Sequence, residues 1–369
     1  MREYDAQGWH RTGTKVDAES AEWLAEHVRA LGLQVELEPF AINRVEPVEA
    51  YVEIDGRREY GVPLFDCTYT DGTGVVGAVG VVASACAIGV GATDVGRPTP
   101  DVEAARHTAR HRAMVVAVRP IGNDDGLALQ NAEYFTQPFG PPVLQLRHGA
   151  LEWLQRAADD GSTGRVVATA RYVPSQAYNV VAQLSGADRS LPPVWVMTPR
   201  SGWWACAGER AGGIAGWLEA MAAMVWRQPA RAVNFLASSG HELGHLGLRK
   251  ALETRQDSIQ ASYAWVHLGA NIGAAPKSTS FLAASNTELQ AEFAQLLASE
   301  GVASVVRRPP GRAQGEALEI HRGGGTYVSI LGSHQLFHQE ADRYPAAVSI
   351  EEVARIARAV RALVDRLTE

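Results

Sequence analysis

The segment Val233-Asn234-Phe235-Leu236-Ala237 limits the fold more than any other. Side chains of a strand alternate between its two faces, and this run is apolar on both faces apart from Asn234. It has no face to give to water, so it belongs at the centre of a sheet covered on both sides. The neighbouring segments supply the cover. Gly212–Trp226 puts Ile214, Trp217, Leu218, Met221 and Val225 on one helical face, and Leu243–Arg255 reads as helix. The same rhythm runs on through strands at Val180–Leu184, Val194–Met197, Ala264–Leu268 and Thr326–Leu331. Helices are expected at Glu288–Glu300 and Ile350–Leu367. The alternation predicts an α/β fold, a mixed, mostly parallel sheet flanked by helices. Active sites in such sheets lie at the carboxyl ends of strands.

The amino-terminal third has a different texture. Residues 17–32 carry Trp23, Leu24, His27, Val28 and Leu31 at helical spacing, with Asp17 as cap and Gly32 as stop. Gln34–Glu38 alternates like a half-buried strand. From about Val48 to Pro174 come short β-type runs (Ala50–Ile54, Gly77–Val82, Met114–Val118, Val143–Leu146 and Arg165–Tyr172), with one helix near Ala150–Ala158. A chain of 369 residues has room for two domains. The expected division is an α/β domain of residues 1–46 and 176–369, interrupted by a β-rich insert of residues 47–175.

The composition narrows the function. The net charge of -7 without long like-charge runs gives no support to a nucleic-acid partner. Three cysteines, an odd number with no C-x-x-C pair, argue against a disulfide framework or a cysteine-held zinc. The most apolar run, Val75–Val90, is rich in Gly and Ala and reads as buried strand, so no membrane span is expected. The first residues do not resemble a signal peptide, and the cytoplasm is the default location.

Histidine carries the chemical signal. Five of the eleven histidines follow apolar strands in three places: His241 and His245, His267, and His334 and His338. Convergence there would supply imidazole ligands suited to zinc or a similar ion. His241-Glu242-Leu243-Gly244-His245 matches H-E-x-x-H, which on a helix aligns two histidines around a general-base glutamate. Here the motif follows a buried strand directly through Ser238-Ser239-Gly240, and Gly244 disfavours helix by about 1 kcal/mol relative to alanine. At a strand end the same residues can work differently, one as general base and the next as metal ligand. Ser238 and Ser239 form no G-x-S-x-G elbow. Gly323-Gly324-Gly325 precedes a strand rather than opening a helix, and reads as a turn.

Several segments in order resemble the zinc aminopeptidase and glutamate carboxypeptidase family of co-catalytic metallopeptidases. Arg11-Thr12-Gly13-Thr14 with Leu31-Gly32-Leu33 is similar to the family's amino-terminal stretch, and Tyr178–Ala182 to its N-V-[IV]-A strand. Phe235–Gly247 resembles its E-E-x-G-x-x-G segment, and Phe337–Asp342 its H-T-x-x-D segment. The insert, ending in Pro141-Pro142-Val143-Leu144, looks like a protease-associated domain. The resemblance implies a zinc-exopeptidase-like fold and a hydrolase of peptide or amide bonds.

The ligands depart from the family's pattern. Its opening H-x-D becomes Thr198-Pro199-Arg200, and its bridging aspartate becomes Glu209. Its paired glutamates become His241 and Glu242, its later aspartate becomes His267, and its last histidine is retained as His338. The resemblance then implies one zinc or other divalent ion held by Glu209, Glu242, His338 and His267, with His241 in the general-base position. Arg200 adds a fixed charge opposing a second cation. Trp203 and Trp204 are candidates for stacking a flat substrate, and Arg200 and Arg210 for clamping a carboxylate. Glu316 stands where the family has a substrate-side acidic segment. Together they point to a small or acidic peptide or amide substrate, and His245 is expected to stand aside on the following helix. The insert is placed to restrict the cleft or to form a contact in a homo-oligomer. The alternative is a non-catalytic binding or scaffold protein on the same fold.

Overall fold

The computed structural model describes residues 1–123, 125–276, 278–302 and 304–369. Among the described residues, fourteen strands join in one sheet. Its first seven are β1 (Val35–Ile54), β2 (Arg57–Tyr60), β3 (Val62–Pro63), β4 (Val75–Val81), β5 (Ile88–Asp94), β6 (Ala113–Arg119) and β7 (Val143–Arg147). The other seven are β8 (Thr163–Leu184), β9 (Val194–Pro199), β10 (Val233–Ser238), β11 (Ala264–Leu268), β12 (Ser280–Ala284), β13 (Val305–Arg307) and β14 (Tyr327–Gly332).

The expected centre is where the apolar run predicts it. β10 pairs in parallel with β9 and antiparallel with β8, and every residue of β10 is buried. β9, β11 and β14 continue in parallel, β12 follows antiparallel beyond them, and β13 forms the edge in parallel with β12. The α-helices among the described residues are α1 (Arg2–Ala6), α2 (Lys15–Ala30), α3 (Pro100–His107), α4 (Leu151–Asp159), α5 (Ala207–Trp226), α6 (Leu246–Glu253), α7 (Ser258–Ala261), α8 (Thr287–Ser299), α9 (Ala317–Arg322) and α10 (Ile350–Leu367). Alternation along β9 explains the layering. Val194 and Val196 join a core with Trp217 of α5 and Val360 of α10. Trp195 and Met197 point the other way, into a core with Leu248 of α6 and Ile320 of α9. Helices therefore cover both faces, and burying both sides of each central strand is what holds the layers together.

β1 and β8 are far longer than the short runs expected in them. They pair antiparallel from Val35↔Ala182 to Ile54↔Gly164, with an irregularity between Pro47 and Glu49. Their first part belongs to the sheet of the α/β body. Their second part carries β4, β5, β6 and β7 of the β-rich region, with its own core of Val52, Ile88, Val115 and Leu146. The expected boundary at residues 46 and 47 thus falls inside a continuous strand. Val75–Val90, read as one buried strand, is split into β4 and the start of β5. Among the described residues no helix is long and apolar enough to cross a membrane.

Candidate active site

The site forms where β9, β10, β11 and β14 end. β10 runs into Gly240 at φ 85°, a left-handed conformation that glycine adopts without strain. A single 3₁₀ turn, His241–Leu243, follows; Gly244 and His245 are also left-handed, at φ 68° and 58°. Only at Leu246 does α6 begin. The H-E-x-x-H segment is therefore not a helix. Its turns nevertheless bring the His241 and His245 rings to 5.4 Å between centroids. The expectation that His245 stands aside on the following helix does not hold.

His241 Nδ1 lies 2.7 Å from Glu316 Oε1, and His267 Nε2 lies 3.1 Å from the other carboxylate oxygen. One buried carboxylate thus joins two imidazoles. His267 is fixed from behind, because its strand partner across β11 and β14 is Ser329, whose Oγ is 2.8 Å from His267 Nδ1. His245 Nδ1 is 3.2 Å from Glu319 Oε1, and Arg249 holds Glu319 in turn. Burial alone would raise the Glu316 carboxyl, but the His241 charge and the two imidazole hydrogen bonds hold it well below the usual range. Burial lowers His241, against the pull of Glu316. His245 is raised, because Glu319, Glu316 and Glu133 outweigh its burial.

Glu209 and His338 form a second group. Glu209 lies in the first turn of α5, whose Gly208 and Glu209 amides donate to Asp342 at 2.6 and 3.0 Å. His338 Nδ1 lies 2.6 Å from the Leu129 carbonyl, which makes Nδ1 the donor. Nε2 faces Glu209 Oε1 at 3.5 Å. The Arg210 guanidinium stands 2.6 Å from the same oxygen without the alignment of a hydrogen bond. Its Nε donates to the Ser201 carbonyl at 2.6 Å. Burial opposes ionisation of Glu209, yet Arg210 and His338 bring its pKa down. Both Glu209 oxygens, His338 Nε2 and Arg210 Nη1 and Nη2 are buried with no hydrogen-bond partner. Buried polar atoms are seldom left so, and a cluster of them marks a place built for a ligand.

The remaining expected residues lie apart from these groups. Glu242 accepts from the Thr12 amide and hydroxyl at 2.9 and 2.6 Å and from Ser201 Oγ at 2.7 Å, so three donors already occupy its carboxylate. Arg200 is fully buried, donating to the Asp17 and Tyr178 carbonyls and pairing with the Asp17 carboxylate. Trp203 packs on Phe65 at 4.6 Å, and Trp204 donates its indole N–H to the His338 carbonyl at 2.8 Å. These contacts position the site from behind. Glu316, expected on the substrate side, instead joins His241 and His267. The motif spacing marked His245; Thr12, Ser201 and the Leu129 carbonyl are ordinary residues whose roles arise only from the fold.

The β-rich region closes the site. Ala132 N–H donates to the Glu242 carbonyl at 2.8 Å, and Leu129 N–H to the His338 carbonyl at 3.3 Å. Glu209, His267, Glu316 and His338 are 1% exposed or less, and His241 and His245 are each 7% exposed. A cavity of about 660 Å³ reaches this group at His245 and is lined also by Arg249, Glu319, Asp66, Arg106 and Glu133. The donor set suits a zinc-type ion: neutral imidazoles and carboxylates, several with free acceptor atoms and fixed outer partners.

No known protein-family profile matches the chain, and no curated protein matches it in sequence. Solved structures do match. A zinc aminopeptidase from Bacillus subtilis superimposes with a TM-score of 0.75 at 16% identity, covering 98% of this chain and 91% of that one. This chain has the zinc-aminopeptidase fold. An aminopeptidase from Aneurinibacillus sp. strain AM-1 gives 0.73 at 16% identity, again with 98% and 91% covered. A glutaminyl cyclase from Fimbriiglobus ruber gives 0.53 at 10% identity over the same shares. The expected α/β architecture is thus present over nearly the whole chain.

Proposed function

We propose that the chain is a metal-dependent hydrolase of amide or peptide bonds, aminopeptidase-like and selective for small substrates. One observation carries this reading. Imidazoles and carboxylates that the sequence scatters over more than a hundred residues converge, buried, at the strand ends where the zinc-aminopeptidase fold opens its cleft: His241, His267, Glu316, Glu209 and His338. A divalent ion among such donors would polarise a carbonyl and acidify a water molecule. Burial pushes the His241 pKa below its usual value against the pull of Glu316, which favours the neutral form that can take up a proton or bind an ion. Arg210, paired with Glu209 through Nη2 and with Nη1 making no hydrogen bond, is suited to hold a substrate carboxylate or a developing oxyanion. The contacts from Leu129 and Ala132 hold a covering segment against the site, which supports a small substrate over a long peptide.

The test is hydrolysis of a panel of aminoacyl p-nitroanilides and free amino-acid amides, acidic side chains included, with and without chelator. Turnover that chelator abolishes and zinc restores is the expected result. No turnover on any member after zinc loading would favour the non-catalytic binding protein.

A further inference from the structure

The geometry points to a metal site of His241, His245 and Glu316, displaced from the carboxylates that correspond to the family's own ligands. This placement rests on the reading of the chain as a metal protein. One ligand atom from each of the three residues lies within 4.8 Å of the other two, and all three residues are buried. Two imidazoles and one glutamate form a recognised catalytic zinc set, with a fourth position left for water.

Three features favour this position over the one beside Glu209. First, Arg210 already supplies a cation there, 2.6 Å from Glu209 Oε1, and a second cation would meet its charge at close range. Glu242 is engaged by Thr12 and Ser201. Second, the outer partners of the new cluster are in place. Glu319 holds His245 Nδ1, which leaves Nε2 as the ring nitrogen free to serve as ligand. His267, itself held by Ser329, fixes Glu316 from its other oxygen. Such outer contacts orient metal ligands. Third, His245 adopts φ 58°, a left-handed conformation uncommon for a residue with a side chain. Together with Gly244 it turns the chain so that the second histidine faces the first rather than pointing along α6. Of the three ligands, His245 lines the cavity of about 660 Å³ and brings the edge of the cluster to it.

The placement changes the tasks of two histidines. His241 becomes a ligand, and His338, with Nδ1 spent on the Leu129 carbonyl and Nε2 facing Glu209, stays outside the ligand set.

Zinc alone is the probe, followed by equilibrium dialysis against a competing chelator. The whole wild-type chain should bind one ion. His245→Gln and Glu316→Gln should weaken binding more than about 100-fold, while Glu209→Gln binds as the wild type does. Because variants of buried residues can fail to fold, imidazole nitrogen NMR of the wild-type chain gives a second reading. Zinc should move the His241 and His245 resonances to metal-bound positions and leave His338 in place. Loss of zinc in Glu209→Gln with retention in His245→Gln would overturn the placement, as would an absence of zinc binding by the wild type. The two readings separate cleanly. Zinc held at His245 without hydrolysis of any substrate removes the proposed function and keeps the site. Chelator-sensitive hydrolysis whose zinc is indifferent to His245→Gln does the reverse.

Discussion

His10 lies flat against Tyr4, with 3.8 Å between ring centroids and 2° between planes, and its ring nitrogens meet the Ala205 carbonyl and Gln7. Burial lowers its pKa from 6.5 to about 3; Arg200 adds to the shift, and the Ala205 contact and Asp5 oppose it. The folded-state pKa is depressed, so the contribution of His10 to stability is fully present above pH 6.5. It is lost as pH falls toward 3, because the unfolded chain takes up a proton that the folded chain refuses. Unfolding free energy should therefore fall by about 1.4 kcal/mol per pH unit on this account alone. Urea titrations from pH 7 to 4 should show that slope reduced by one proton in His10→Gln; equal slopes would refute the assignment. Glu242 gives a second prediction at the same scale. In Glu242→Gln an amide NH₂ can face donors from Thr12 and Ser201, leaving a buried donor unmatched at a cost of about 1–3 kcal/mol. The melting temperature should drop while zinc stoichiometry stays at the wild-type value. The sequence marks Glu242 by its place in a motif. Its partner Thr12 lies 230 positions away, a contact that no local spacing can reveal.

Elements were legible in proportion to the apolar pattern they carry. β10, β11 and α10 stand where their periodicity puts them, because burying both faces of a strand or one stripe of a long helix leaves a strong signature. β12 and β13 were not anticipated: β13 is three residues long and β12 carries mixed small and apolar residues, so neither has a pattern to read. The helix expected from Leu243 begins at Leu246, because two left-handed residues precede it. That turn supports a prediction at this scale. Gly244 has φ 68°, and a Cβ there would sit 2.6 Å from the Glu133 carbonyl oxygen of the covering segment. Gly244→Ala would have to push that segment back and adopt a costly backbone conformation, destabilising the protein by about 1–3 kcal/mol. The change should also speed limited proteolysis between residues 127 and 139. A variant as stable and as protease-resistant as the wild type would show that the covering segment is not held by this contact.

For the molecule as a whole, the question is whether the α/β body and the β-rich region behave as two units. Composition divides them, and each has a core of its own. The backbone does not. β1 and β8 run through both, paired from Val35↔Ala182 to Ile54↔Gly164, so neither region can lose its sheet without exposing a ladder edge of the other. Unpaired edge amides and carbonyls are costly when buried, and an exposed edge invites misassembly. A second tie lies at the site, where Leu129 and Ala132 bond to the backbone of His338 and Glu242. If these ties dominate, the 369 residues melt in one transition. Its enthalpy would be about 260 kcal/mol near 60 °C from the usual value per residue. Calorimetry with zinc held fixed should then give one peak with equal calorimetric and van't Hoff enthalpies. Two peaks, with the smaller enthalpy matching the β-rich region, would mean that the irregularity at Pro47–Glu49 acts as a hinge between separately folding parts. In that case zinc should raise only the transition of the α/β body, since ligands bound by the folded state stabilise the unit that holds them. In the one-unit case zinc raises the single peak, and with it the stability of strands far from any ligand.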